Sequence, residues 1–214
     1  MSIEMDSRAR GKREETKASN RQAIIDAARI VFAELGYGAT TVRDIIRATE
    51  LASGTFYNYF KSKEEVFQAL QDETALRVRP RLRAERIRAR NFEEFVSGSF
   101  RTFFDFVKND HATFATMRRN PEMQRVRIDT PEVIAGFDEL RADLELAIAN
   151  GVVPATDADL LMAAMVGVAF EVANHLVLRS DLSAEDAAKF ATALFMGGVQ
   201  ALPKKAARRQ YPES

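Results

Sequence analysis

The sequence predicts an all-α protein, with an N-terminal three-helix helix-turn-helix domain, a C-terminal helical domain and about nine helices in total. Three observations lead there. Apolar residues recur at helical spacing through most of the chain, helix-capping residues stand at intervals along it, and no segment alternates apolar and polar residues long enough for a strand.

Composition fits this class and excludes others. With 214 residues, 46% hydrophobic and 29% charged, the chain can bury a substantial core and is not of the disordered type. It has no cysteine, which rules out a disulfide framework and thiolate chemistry. The start shows no apolar secretion region, and the longest apolar run, 160–170, is shorter than the roughly 20 residues a bilayer helix needs. A cytoplasmic chain with no membrane partner is therefore expected. Net charge is zero, and residues 1–63 carry 11 Lys/Arg against 8 Asp/Glu, too small a bias to argue for nucleic acid by itself.

Taken in order, residues 1–18 read as a flexible basic arm, with Glu14 and Glu15 interleaved among the basic residues. Such an arm either adds DNA contacts or is a solvated tail. Ile24, Ala27, Ala28, Val31, Phe32 and Leu35 form the stripe of an amphipathic helix over 20–35, opened by a capping box at Ser19 and Gln22 and ended by Gly36. Thr41 caps a second helix over 41–49 with Asp44 in its first turn. A third runs over 53–60, where Phe56 and Phe60 lie one turn apart and face inward. Ser62 and Glu65 form another capping box, opening a helix that Pro80 is expected to end or kink. Seven arginines between 77 and 90 mark a connecting helix and hinge over 64–90, read as solvated in preference to an acidic-ligand site. The C-terminal domain, 91–203, holds helices over 92–108, 111–119, 131–149, 157–178 and 183–202, and 204–214 is a frayed tail.

The second and third helices, joined by a tight turn and braced by the first, make a helix-turn-helix pattern. Ser53, Gly54 and Thr55 are small enough for close approach to a phosphate or base edge, Tyr57 and Asn58 can reach bases, and Lys61 and Lys63 flank phosphates. The alternative is a small helical domain in which Tyr57 and Tyr59 are core aromatics and Thr41 is only a cap.

From Arg21 through AIIDAARIVFAELGYGATTVRDII to SGTFYNYFKSKEEVF the chain resembles the tetracycline-repressor (TetR) family. The resemblance implies a dimer that binds operator DNA and responds to a ligand. It makes Thr41 a phosphate contact, Arg43 a base-reading position, Thr55, Tyr57, Asn58 and Tyr59 recognition-helix contacts, and Lys63 a phosphate contact. Where many members have Gly-Val-Ser before the recognition helix, this chain has Glu50, Leu51 and Ala52, leaving Ser53 as the candidate cap.

In the effector domain, Phe92, Phe95, Phe100, Phe103, Phe104 and Phe106 cover most of one helix's circumference, the pattern of a helix buried on nearly all sides. With Phe114, Met117, Phe137, Met162, Met165 and Phe170 they suit either an apolar ligand cavity or a plain core, and the resemblance favours the cavity. Glu171 and His175, one turn apart, are candidate polar anchors for the ligand or a pair at a dimer seam. His111 is the only other histidine, so neither a metal site nor a cofactor is expected. The last two helices are rich in alanine and glycine, which permits close packing, and the resemblance makes them a homodimer interface. The expected function is a repressor released from a palindromic operator by a small apolar or amphipathic effector. An architectural or division-control protein with no effector is the alternative, and no nucleophile–base constellation points to an enzyme.

Overall fold

The computed structural model describes residues 2–110 and 131–202, with side chains from residue 11 onward. These residues form eight helices and no strand: α1 (Ser2–Leu35), α2 (Val42–Arg47), α3 (Ser53–Tyr57), α4 (Lys63–Arg88), α5 (Phe92–Asn109), α6 (Pro131–Ala149), α7 (Ala158–Leu178) and α8 (Ala184–Gln200). The protein is all-α. The helix expected over 111–119, with Phe114 and Met117, and the tail 204–214 lie outside the described residues.

Two compact units divide the described chain, one ending at residue 74 and the other holding 75–110 and 131–202, so the border falls inside α4. In the first unit α1 begins at Ser2, well before the capping box expected at Ser19. The segment expected as a flexible arm is helical because Arg, Ala, Lys and Glu dominate it, all residues that lose little freedom in a helix. Gln22 instead reaches across to α4, donating to Glu73 at 2.7 Å beside an Arg29–Glu73 ion pair of 2.5 Å. Gly36, at φ +82°, ends α1 as expected. The core below is continuous: Ile24, Ile25, Ala28 and Phe32 of α1, Ile45 of α2, Phe56 and Phe60, and Val66, Phe67 and Leu70 of α4.

In the second unit α5 packs against α7 and α8, and α7 also packs against α6. Phe100 and Phe104 are fully buried and stack at 5.9 Å, Phe195 meets Phe100 edge-on at 6.2 Å, and Phe170 meets Phe103 at 5.5 Å. The expectation that α5 is buried nearly all round is corrected: Glu93, Arg101, Asp105 and Asn109 form an outward stripe. Gly151, at φ +69°, closes α6 after Asn150. By length and composition α7 is apolar enough to cross a bilayer. Its contacts with α5, α6 and α8 account for part of that apolar surface.

Of the two outcomes expected at Pro80, the end is corrected, for α4 continues through it to Arg88. One backbone hydrogen bond is lost there, yet tertiary contacts hold the helix on both sides. Arg79 donates to Glu139 of α6 at 2.6 Å and stands 3.6 Å from Glu132. Arg86 pairs with the same Glu139 and lies 2.9 Å from Asp143. On the α5 side Arg77 pairs with Asp110, Arg77 and Arg81 lie over the Phe106 ring at 5.5 and 5.7 Å, and Glu85 faces Arg101 at 3.5 Å. Arg79 and Arg86 thus form a charged seam with α6, while Arg77, Arg81, Arg83, Arg88 and Arg90 are exposed, as the solvated reading expects.

Within the seam the Arg79 hydrogen bond, helped by Arg86, holds the Glu139 carboxyl below its ordinary range against the opposing effect of burial. Burial pushes the Asp143 carboxyl up, although Arg86 counters it. The two groups therefore act oppositely with pH. The contribution of Glu139 is complete above the unfolded carboxylate value of about 4.3 and is lost as pH falls through its lower folded value. Asp143 favours folding at low pH, a contribution lost as pH rises through its raised folded value. Glu139→Gln should lower stability by roughly 1–2 kcal/mol at pH 7, discounted for partial exposure, and flatten the loss of stability below about pH 4.5. Urea titrations across pH read both effects.

Candidate nucleic-acid interface

Local chemistry fixes the two short helices. Thr41 N-caps α2 through a capping box: its Oγ1 accepts from the Asp44 N–H at 3.3 Å, and its own N–H donates to Asp44 Oδ2 at 2.9 Å. The Thr41 hydroxyl also donates to that carboxylate at 2.6 Å, and these bonds hold Asp44 below the usual carboxylate range. Thr49 ends the element by donating to Ile46 O at 2.8 Å, while its hydroxyl accepts the Leu51 N–H at 3.2 Å.

The third helix is shorter than the sequence predicts, five residues in place of eight, because 58–60 close as turns onto Thr55 and Phe56. Its N-cap is Ala52, with no side-chain hydrogen bond, and Ser53 is the first helical residue, so the expectation of a Ser53 cap is corrected. Phe56 and Phe60 are buried and 6.2 Å apart. That burial turns Ser53, Gly54, Tyr57 and Asn58 outward, with Tyr57 59% exposed. Thr55 is half-buried, and Tyr59 packs against the core as the alternative reading allowed. Thr41 and Arg43 on α2 and Lys61 before α4 are exposed.

Gly54 has an ordinary helical backbone, and a Cβ added to it would meet nothing within 4 Å. Nothing inside the protein requires glycine there. In a helix that choice gives up about 0.5–1 kcal/mol relative to alanine.

Lys63 stands apart from the other basic residues. Its ammonium donates to the carbonyls of Tyr37 at 2.8 Å and Thr40 at 2.9 Å, approaches that of Gly38 at 3.4 Å, and sits 4.5 Å from the Tyr37 ring centroid. The Tyr37 hydroxyl donates to Glu64 at 2.8 Å. Burial, then this hydrogen bond, raises the tyrosine far above its ordinary value. Burial works to raise Glu64, but hydrogen bonds from its own backbone, Tyr37 and Ser62 outweigh it and hold the carboxyl low. Tyr37, Thr40 and Glu64 did not stand out in the sequence. The available signal was an aromatic residue directly after a helix-ending glycine, followed later by Lys-Glu at a helix start.

Of the residues expected to bind a ligand, Phe100, Phe104 and Met165 are buried and Phe103 and Phe137 half-buried. Phe100, Phe103 and Phe104 pack on one another and on aromatic neighbours. Glu171 and His175 are exposed, on the same α7 stripe as Leu160, Ala163, Ala164, Gly167 and Leu178. The structure therefore does not bring them together with the buried phenylalanines. Between α5 and α8 lies a groove lined largely by charged and polar side chains, among them Glu93, Arg101, Glu185 and Lys189. No group of three or more metal-ligating side chains occurs among the described residues.

The family model for bacterial regulatory proteins, tetR family, matches residues 24–70, from the middle of α1 into the start of α4. An uncharacterized HTH-type transcriptional regulator of Haemophilus influenzae is 30% identical over 110 residues, 51% of this chain and 54% of that protein. The match thus spans about half the length of this curated relative. Among solved structures, the fatty acid degradation regulator FadR from Bacillus halodurans superposes with a TM-score of 0.73 at 27% identity, covering 84% of this chain and 96% of that one. The transcriptional regulator FadR from Bacillus subtilis, solved in complex with stearoyl-CoA, shares the fold with a TM-score of 0.70 at 23% identity, covering 85% and 99%. The region similar to the tetR family of bacterial regulatory proteins thus lies on the helix-turn-helix, and a likeness of fold to solved bacterial regulators extends through the helices that follow.

Proposed function

We propose that the protein is a cytosolic, sequence-specific DNA-binding transcriptional regulator that acts as a homodimer, represses from a near-palindromic operator and is released by a small apolar or amphipathic effector. The observation that carries the DNA-binding part is the division of residues 53–60, α3 and the turn after it, into a buried Phe56/Phe60 side and an outward Ser53, Gly54, Tyr57 and Asn58 side. A short segment with an exposed aromatic, an amide and small side chains suits insertion into a major groove. Thr41, Arg43, Thr55 and Lys61 complete the proposed contact surface, with Arg43 aimed at bases and Lys61 at phosphate.

Gly54 supplies the test, since the fold has room for a side chain there. Gly54→Ala should leave stability unchanged or raise it by about 0.5–1 kcal/mol. It should weaken operator binding at least about tenfold, because a bidentate base contact misplaced by one methyl loses about 1–3 kcal/mol. Operator fragments selected from a random-sequence pool and measured by fluorescence anisotropy provide the readout. Full affinity in Gly54→Ala would remove this face from the interface.

The homodimer is supported by the outward faces of α7 and α8, which combine exposed Leu160, Leu178, Phe190 and Leu194 with Ala163, Ala164, Gly167, Ala193, Gly197 and Gly198. Large apolar residues interleaved with small ones allow close helix approach between two copies. Such a dimer sets its recognition helices about 34–36 Å apart, one turn of DNA. Leu194→Glu should turn the dimer into a monomer at micromolar concentration in sedimentation velocity and lower operator affinity with it.

For the effector, fatty-acyl compounds are the first class to test, since the Bacillus halodurans relative is a fatty acid degradation regulator. A ligand would act only by favouring a conformer, through α4, in which the helix-turn-helix no longer fits its groove. The tightly packed phenylalanines of α5 favour a second reading, a DNA-binding architectural protein without an effector. Thermal denaturation against an acyl and aromatic compound set separates the two. A true effector at about 100 times its Kd stabilises the fold by about 2.7 kcal/mol, and an architectural protein shows no such gain.

A further inference from the structure

We propose that Lys63 serves DNA binding as a positioning residue, clamping the connection between α1 and α2, and does not contact phosphate. The resemblance implied a phosphate contact here, and the proposal rests on the DNA-binding reading for its functional consequence while the clamp itself is independent of it.

An ammonium has three N–H donors and no acceptor. In Lys63 all three point at backbone carbonyls of one short connection, those of Tyr37, Gly38 and Thr40. Its positive charge also rests against the Tyr37 ring. The connection is otherwise closed by local bonds: the Thr40 N–H and hydroxyl both donate to the Gly36 carbonyl, at 3.1 and 2.7 Å. Thr40 is buried, and the next residue, Thr41, carries the capping box that begins α2. From the same first turn of α4, Glu64 takes the Tyr37 hydroxyl, and the Tyr37 ring packs at 5.4 Å on both Phe32 and Phe67. Lys63 and Glu64 therefore hold the two ends of one residue, backbone and hydroxyl.

For Lys63 to reach a phosphate it would have to surrender two charge-assisted bonds and a longer third contact for one ion pair. Lys61, two residues earlier and exposed, makes no such demand. The geometry also distinguishes lysine from arginine. Carbonyls that converge on one nitrogen suit a compact ammonium, whereas a planar guanidinium spreads its donors and cannot meet the same set. A phosphate, in contrast, is served by arginine as well as by lysine or better.

The test compares wild type, Lys63→Arg and Lys63→Met on a 30-base-pair mixed-sequence duplex over a range of salt, with amide hydrogen exchange at Thr40 and Thr41 read without DNA. The clamp predicts that both variants exchange at least about tenfold faster at these amides, each having lost charge-assisted bonds. It further predicts that both bind duplex several-fold more weakly, and that the log–log salt slope changes by much less than the about 0.9 that one lost phosphate contact removes. Wild-type affinity in Lys63→Arg, a slope reduced by about 0.9 in Lys63→Met and unchanged exchange in both would overturn it. Should wild type itself ignore duplex DNA at low salt, the DNA-binding reading fails, and the exchange rates alone decide the clamp. If neither variant folds, the wild-type Lys63 ammonium signal in 15N-lysine NMR decides: a signal unmoved by added duplex supports the clamp, and one that shifts on adding duplex refutes it.

Discussion

The outward face of α3 exists only because its inward face is anchored. Five residues make little more than one helical turn, and an isolated helix of that length is not stable in water. Phe56 and Phe60 supply what propensity does not, inserting into a core that already holds Ile24, Phe32, Ile45 and Phe67. Burial of each ring contributes on the order of 1.5–3 kcal/mol. With both rings fixed, the rotation of α3 about its axis is fixed as well, and Ser53, Gly54, Tyr57 and Asn58 have nowhere to point but outward. The uncapped start at Ala52 is affordable for the same reason, since the anchor acts from inside the element and not from its end.

The fold class was legible because it rests on long periodic segments, which many residues specify together. The stripe from Ile24 to Leu35 and the cap at Thr41 are local signals that no tertiary contact opposes. Local reading failed where two signals competed. Ser19 could cap a helix, but the Arg-, Lys-, Glu- and Ala-rich residues before it favour helix so evenly that α1 passes through. Pro80 could end one, but the bond it removes is a small loss beside ion pairs on both sides. In the Pro80 case the deciding partners lie elsewhere in the chain, Glu139 being 53 residues from Arg86.

The candidate site was legible to the same depth. The α3 pattern of two phenylalanines one turn apart identifies the inward side, and the outward residues follow by elimination. Tyr59 and Lys63 show the limit. An aromatic or a lysine in this segment can face either way, and its direction depends on partners that sequence spacing does not reveal: the core for Tyr59, three backbone carbonyls for Lys63. The Lys63 partners are carbonyls, which carry no side-chain identity, so no pattern of residue types could have announced them.

The distal half of α4 completes the physical picture of the second unit. None of the residues of α4 after Thr74 is fully buried, so apolar burial contributes little to holding this segment against α5 and α6. Arginine stems and head groups do that work, with Glu139 shared between Arg79 and Arg86. Gly98 of α5 allows the approach, because a Cβ there would stand 3.3 Å from the Glu85 carboxylate. Partly exposed ion pairs are individually weak and are screened by salt. The two halves of α4 are thus held by different means, packed apolar side chains around Phe67 in the first and arginine ion pairs in the second.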